Sequence, residues 1–95
     1  YIFENRFQKL SLNEAASVLE ITPSYLSRIF KKVTHQSFSD YVAEVKIEEA
    51  KSLLLKDNNR IYEVSSMLGY DDPYYFSKVF KKITQMTPSE FIARN

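Results

Sequence analysis

Tyr25-Leu26-Ser27-Arg28-Ile29-Phe30-Lys31-Lys32-Val33-Thr34 occurs twice in this chain. Fifty positions on, the sequence reads Tyr75-Phe76-Ser77-Lys78-Val79-Phe80-Lys81-Lys82-Ile83-Thr84, with six of ten positions identical and the rest exchanged like for like. The match extends outward. Pro23 pairs with Pro73, Ser39 with Ser89, Asp40 with Glu90, Tyr41 with Phe91, Val42 with Ile92 and Ala43 with Ala93. A repeat of this kind makes the chain two copies of one supersecondary unit.

Each copy reads as a helix-turn-helix. In the first, Leu26, Ile29, Phe30 and Val33 fall at i, i+3, i+4 and i+7, the spacing of a buried helical stripe. Tyr25 is assigned to the core with them. Thr22 is an N-cap and Pro23 takes N1, where a missing N–H is harmless. Upstream, Ser11-Leu12-Asn13-Glu14 has the form of a capping box. It opens a short helix with Leu12, Ala15, Ala16 and Leu19 on one face, closed by a turn at Glu20-Ile21. In the second copy, Asn59 is the expected N-cap, and Ile61, Val64, Ser65 and Leu68 form the face. Gly69 stands where a C-cap needs the left-handed conformation. Asp72-Pro73 then starts a helix burying Phe76, Val79, Phe80 and Ile83, with Tyr75 also assigned to the core. Thr87-Pro88-Ser89-Glu90 caps a last short helix.

Between the copies, Ser37-Phe38-Ser39-Asp40 caps a long helix over about residues 38–56, with Tyr41, Val42, Val45, Ala50, Leu53 and Leu54 as its apolar stripe. Lys56-Asp57-Asn58-Asn59 ends it. Residues 1–8, with Ile2, Phe3 and Phe7, read as the end of a further helix, and Lys9-Leu10 as a connection. The expected fold is all-α: two helix-turn-helix subdomains joined by a long linker helix, about seven helices. The single domain is expected to divide into residues 1–36, 37–57 and 58–95, and, with a tyrosine in mid-helical pattern as its first residue, to be a piece of a longer protein.

Burying the stripes leaves an outward face by subtraction. Ser24, Ser27, Arg28, Lys31 and Lys32 remain in the first copy; Tyr74, Ser77, Lys78, Lys81 and Lys82 remain in the second. The net charge of +1 says little, but its distribution says more. Residues 23–35 and 73–85 hold six of the thirteen basic residues and no acid, the electrostatic footprint of a nucleic-acid binder. A solvated basic face is the bland reading; two at matching positions favour function. The absence of cysteine removes disulfides and thiolate metal sites, and fits a reducing, cytoplasmic setting. No apolar run approaches the ~20 residues of a membrane span. No acid pair, nucleophile–base pair or phosphate loop stands out, and a lone His35 at a helix end reads as a cap or surface residue. Neither an enzyme nor a cofactor or metal is expected.

Tyr25-Leu26-Ser27-Arg28 with Phe30-Lys31-Lys32, then Ile61, Leu68-Gly69-Tyr70, Tyr75-Phe76-Ser77-Lys78 with Phe80-Lys81-Lys82, and Thr87-Pro88-Ser89-Glu90-Phe91 resemble the DNA-binding domain of the AraC/XylS family of bacterial transcription regulators. The resemblance covers essentially the whole chain. The chain departs from the family pattern at His35 and Gln85, where glycine is usual, and at Lys46 and Ile92, where arginine is usual. Ile61-Tyr62-Glu63 and Asp71-Asp72-Pro73-Tyr74-Tyr75-Phe76 look most like members from low-GC Gram-positive bacteria, many of which carry a phosphorylatable receiver domain upstream.

The resemblance implies double-stranded promoter DNA as partner, with both recognition helices in the major groove, and RNA polymerase as a second partner. It implies no membrane, a monomeric isolated domain and a dimeric full-length protein. Ser24, Ser27, Arg28, Tyr74, Ser77 and Lys78 are then the expected base contacts. Arg28 can pair bidentately with guanine, Lys78 can reach a guanine or a phosphate, and Tyr74 a thymine methyl or a phosphate. Ser11, Lys31, Lys32, Arg60, Lys81 and Lys82 are the expected phosphate contacts. The alternative is a protein-interaction module that presents the same surfaces to polymerase or a partner domain.

Overall fold

The computed structural model describes residues 2, 4–8, 11–56 and 59–95. Among the described residues there are six helices and no strand: α1 (Leu12–Val18), α2 (Pro23–Thr34), α3 (Phe38–Leu55), α4 (Ile61–Met67), α5 (Pro73–Thr84) and α6 (Pro88–Arg94). The all-α reading holds, with one helix fewer than expected. Residues 4–8 are turns, closed by i→i−3 bonds from Asn5 N–H to the Ile2 carbonyl (3.2 Å) and from Gln8 N–H to the Asn5 carbonyl (3.0 Å). So short a segment does not repay the cost of helix nucleation. Phe3, the Lys9-Leu10 connection and Asp57-Asn58 lie outside the described residues.

The caps account for the helix starts. Thr22 accepts from the Tyr25 N–H, Ser37 from the Asp40 N–H and Asp72 from the Tyr74 N–H, and proline opens α2, α5 and α6. Thr87 and Glu90 form a complete capping box, at 2.8 and 3.1 Å. The second copy corrects one assignment: the N-cap of α4 is Arg60, whose N–H donates to the Glu63 carboxylate at 2.8 Å. Asn59 instead donates its side-chain amide to the Leu53 carbonyl, closing the end of α3.

Two hydrophobic cores result. Ile2, Ala15, Ala16, Leu26, Phe38 and Val42 form the first, flanked by Phe30, Tyr41 and Val45. Ile47, Ala50, Leu54, Val64, Leu68, Phe76 and Phe80 form the second, flanked by Tyr70, Val79, Ile83 and Phe91. The first ends on α3 at Val45 and the second begins at Ile47, so α3 serves one unit with its front half and the other with its back half. Phe38 and Tyr41 meet Phe30 edge-on (5.4 and 5.3 Å between ring centroids), as Phe91 meets Phe80 (5.5 Å). The molecule measures 43 × 21 × 19 Å.

The copies differ in how well their stripes are covered. Phe76 and Phe80 are fully buried and Val79 and Ile83 half-buried, but Val33 is 71% exposed and Ile29 37%. Periodicity alone places both in the core. Val79 and Ile83 face the front of α3 across a groove shared with Ser39 and Ala43. Among the described residues, the same side of α2 is left open at Ile29 and Val33. Tyr25 and Tyr75 are exposed as well, contrary to expectation. Each precedes the buried position by one residue, ~100° around the helix.

Candidate nucleic-acid interface

α2 and α5 end in the same way. Thr34 donates its hydroxyl to the Phe30 carbonyl (2.8 Å) and accepts from the Gln36 N–H (3.2 Å); Thr84 does the same with Phe80 and Met86. His35 and Gln85 then turn into the left-handed region (φ 62° and 70°), and each N–H returns 2.8 Å to the carbonyl of Lys31 or Lys81. The departure from glycine therefore leaves the left-handed exit intact. The repeated Lys-Lys-x-Thr thus fixes where each helix stops.

On α2 the outward face is an open groove lined by Leu12, Pro23, Ser24, Ser27, Arg28, Lys31 and Lys32. The structure brings together all five residues assigned to this face. Leu12, at the start of α1, closes one side, whereas Ser11 is not in this groove and lines another, with Glu14, Ser39, Lys46 and Tyr70. The Ser11 hydroxyl accepts from the Glu14 N–H at 3.0 Å. The Arg28 guanidinium stands 5.7 Å from the centre of the Tyr25 ring. That is within cation–π range, a contact of Tyr25 that burial periodicity does not show.

On α5 the face is split. Tyr74 is 80% exposed, Lys78, Lys81 and Lys82 are exposed, and Ser77 is half-buried. Lys78 and Lys82 line the groove between α5 and α3 with Asp40 and Glu44 opposite. The second copy therefore shows its lysines beside acids, where the first shows an uninterrupted basic groove. Arg60 is exposed at the start of α4, its backbone N–H already given to Glu63.

Lys46, marked in the sequence only as a departure from the family's usual arginine, is buried. Lys46 lies within the apolar stripe of α3, between the two cores, and is 4% exposed. Its ammonium donates to the carbonyls of Arg6 (2.9 Å), Gln8 and Leu68, and sits 5.6 Å from the centre of the Tyr70 ring. Burial pulls its pKa down to about 8. Burial, followed by the neighbouring Tyr75, pushes the Tyr70 phenol up to about 12. The available signal is a lysine four residues after Val42 and four before Ala50, on a face otherwise apolar.

Among the described residues, no group of histidines, cysteines or carboxylates can hold a metal, and no helix is long and apolar enough to cross a membrane. Residues 15–94 match the helix-turn-helix domain family. The chain is 35% identical over 72 residues to YobQ of Bacillus subtilis, an HTH-type transcriptional regulator, covering 76% of this chain and 30% of that protein. Its fold superposes on the C-terminal domain of AraT, a response regulator from Geobacillus stearothermophilus, with a TM-score of 0.95, at 33% identity, covering 100% of this chain and 79% of that one. The C-terminal domain of the two-component response regulator yesN from Fusobacterium nucleatum gives 0.91 at 34% identity, with 96% and 89% covered. The chain spans 14–30% of the length of the first curated relatives it matches.

Proposed function

Because this chain belongs to the AraC-type helix-turn-helix DNA-binding domains of transcription regulators, which are not enzymes, we propose that it binds promoter DNA sequence-specifically with α2 and α5 in successive major-groove segments. The observation that carries this reading is the pair of acid-free helices that present Ser, Arg or Lys, and Lys-Lys at equivalent positions. α3, with 18 residues, is ~27 Å long. That is compatible with two helices ~34 Å apart, one turn of DNA, on one face of the duplex. Residues 1–36 and 58–95 are then the two reading units and 37–57 the spacer.

Ser24, Ser27 and Arg28 read one half-site, and Tyr74, Ser77 and Lys78 the other. Ser11, Lys31, Lys32, Arg60, Lys81 and Lys82 hold phosphates, setting affinity and register rather than sequence. The isolated domain acts as a monomer in the cytoplasm and needs no palindrome, because its copies differ. The full-length protein forms a dimer and contacts RNA polymerase, with no cofactor.

The test is DNA affinity against salt. Log affinity should fall with log salt at a slope near −0.9 per phosphate neutralised, several units in all; a flat curve on selected DNA defeats the reading. A second reading, a protein-interaction module, is favoured by one observation, the uncovered Ile29 and Val33 on α2. It requires affinity for the partner to be unchanged by Lys31→Ala and Lys81→Ala.

A further inference from the structure

The two reading units have separate cores, and the principal packings that tie one to the other run through α3. A helix alone is an elastic connection. What stiffens the junction is polar. Lys46 sits where the first core ends and the second begins, and its three N–H groups meet three backbone carbonyls. Two, from Arg6 and Gln8, belong to the turns that enter the first unit. The third, from Leu68, is at the C-cap of α4, in the helix-turn-helix of the second unit. Such terminal carbonyls have no intrahelical partner and attract cations. The entry segment is held to α3 a second time, by the Arg6–Glu49 ion pair at 2.6 Å.

We propose that Lys46 is a positioning residue: by joining the entry turns of the first unit to the C-cap of α4 in the second, it fixes the separation of α2 and α5 and so selects the spacing of the two half-sites. It touches no DNA. The proposal rests on the reading that both helices engage DNA, but its structural part can be tested without DNA.

The test uses Lys46→Met, with Lys46→Arg as the variant that keeps a charged donor. Duplexes carry the selected site, the same site with one base pair added or removed between half-sites, or one half-site alone. One base pair displaces a half-site by ~3.4 Å and turns it by ~34°. Wild type and Lys46→Arg should lose about tenfold or more in affinity on the altered spacings; Lys46→Met should lose less than about threefold. All three should bind the single half-site equally.

The structural arm exploits the absence of cysteine. Spin labels at Ser17→Cys on α1 and Ser66→Cys on α4, both exposed, report the distance between units. The distribution should be narrow in wild type and broad in Lys46→Met. Should that variant not fold, Lys46→Gln, whose amide can reach at most two of the three carbonyls, should broaden likewise, whereas Lys46→Arg stays narrow. A Lys46→Met protein with wild-type spacing discrimination and a narrow distance overturns the proposal. If wild type itself shows no spacing preference, the groove-seating reading fails, while the distance measurement still decides whether Lys46 fixes the units.

Discussion

Single residues differ in what their substitution should reveal. Arg28→Ala should cost ~1–3 kcal/mol of binding and relax specificity at one base pair. Lys31→Ala should weaken all sequences alike and reduce the salt slope by about one phosphate's worth. Competition binding at two salt concentrations separates the two behaviours. Stability offers a second residue-level test. Glu20, at φ 58°, occupies the left-handed site that Gly69 takes in the second copy, and His35 and Gln85 occupy two more. A side chain there costs ~1–2 kcal/mol, partly offset by the greater freedom glycine has when unfolded. Glu20→Gly and Gln85→Gly should each stabilise by ~0.5–1 kcal/mol in urea denaturation. Lys46 gives a pH test. Its folded value, about 8, lies below the 10.5 of a free lysine. Between the two, the unfolded chain holds a proton that the folded chain has released, so stability rises with pH. The rise should reach roughly 1–3 kcal/mol and vanish in Lys46→Met. Measurement at pH 8 to 9.5 stays below the range in which the raised Tyr70 opposes it.

Among the elements, α6 depends most on its start, because seven residues are too few for an independent helix. Thr87→Ala should cost ~1 kcal/mol, seen as a lower Tm. The Glu90 carboxyl is held below its usual range, first by the Thr87 N–H and then by the Thr87 side chain. Its folded value is depressed, so its contribution is present above the ordinary carboxylate pKa and is lost as pH falls through the lowered value. Helix starts were the most legible part of this sequence, since Thr22, Ser37, Asp72 and Thr87 declare themselves by residue type and by the proline or acid just downstream. Arg60 did not, because an arginine cap has no composition signal; only Glu63 at N3 betrays it. Periodicity identified the stripe of α2 but not its cover. Ile29 and Val33 carry the same pattern as Val79 and Ile83, and whether a neighbour lies over them is decided by a third element that no window of α2 contains. The outward faces were legible for the complementary reason: they emerge once the buried positions are removed. Tyr25 stayed hidden because an aromatic at a stripe's edge can turn either way.

In the whole molecule, the two units should not be equally stable. The second core contains fully buried Ile47, Val64, Leu68, Phe76 and Phe80, whereas Phe30, the counterpart of Phe80, is only half-buried. Phe80→Ala should therefore cost ~3–5 kcal/mol and Phe30→Ala clearly less. Amides of α1 and α2 should exchange hydrogen faster than those of α4 and α5. Equal protection of the two pairs would mean that the cores unfold as one. The one-way connection through α3 has a separate consequence. A two-fold dimer looks the same from either end, but a chain that joins unlike copies in fixed order does not. DNA occupied by such a molecule carries an arrow. Inverting the site turns the protein end for end and sends whatever it is attached to in the opposite direction along the duplex.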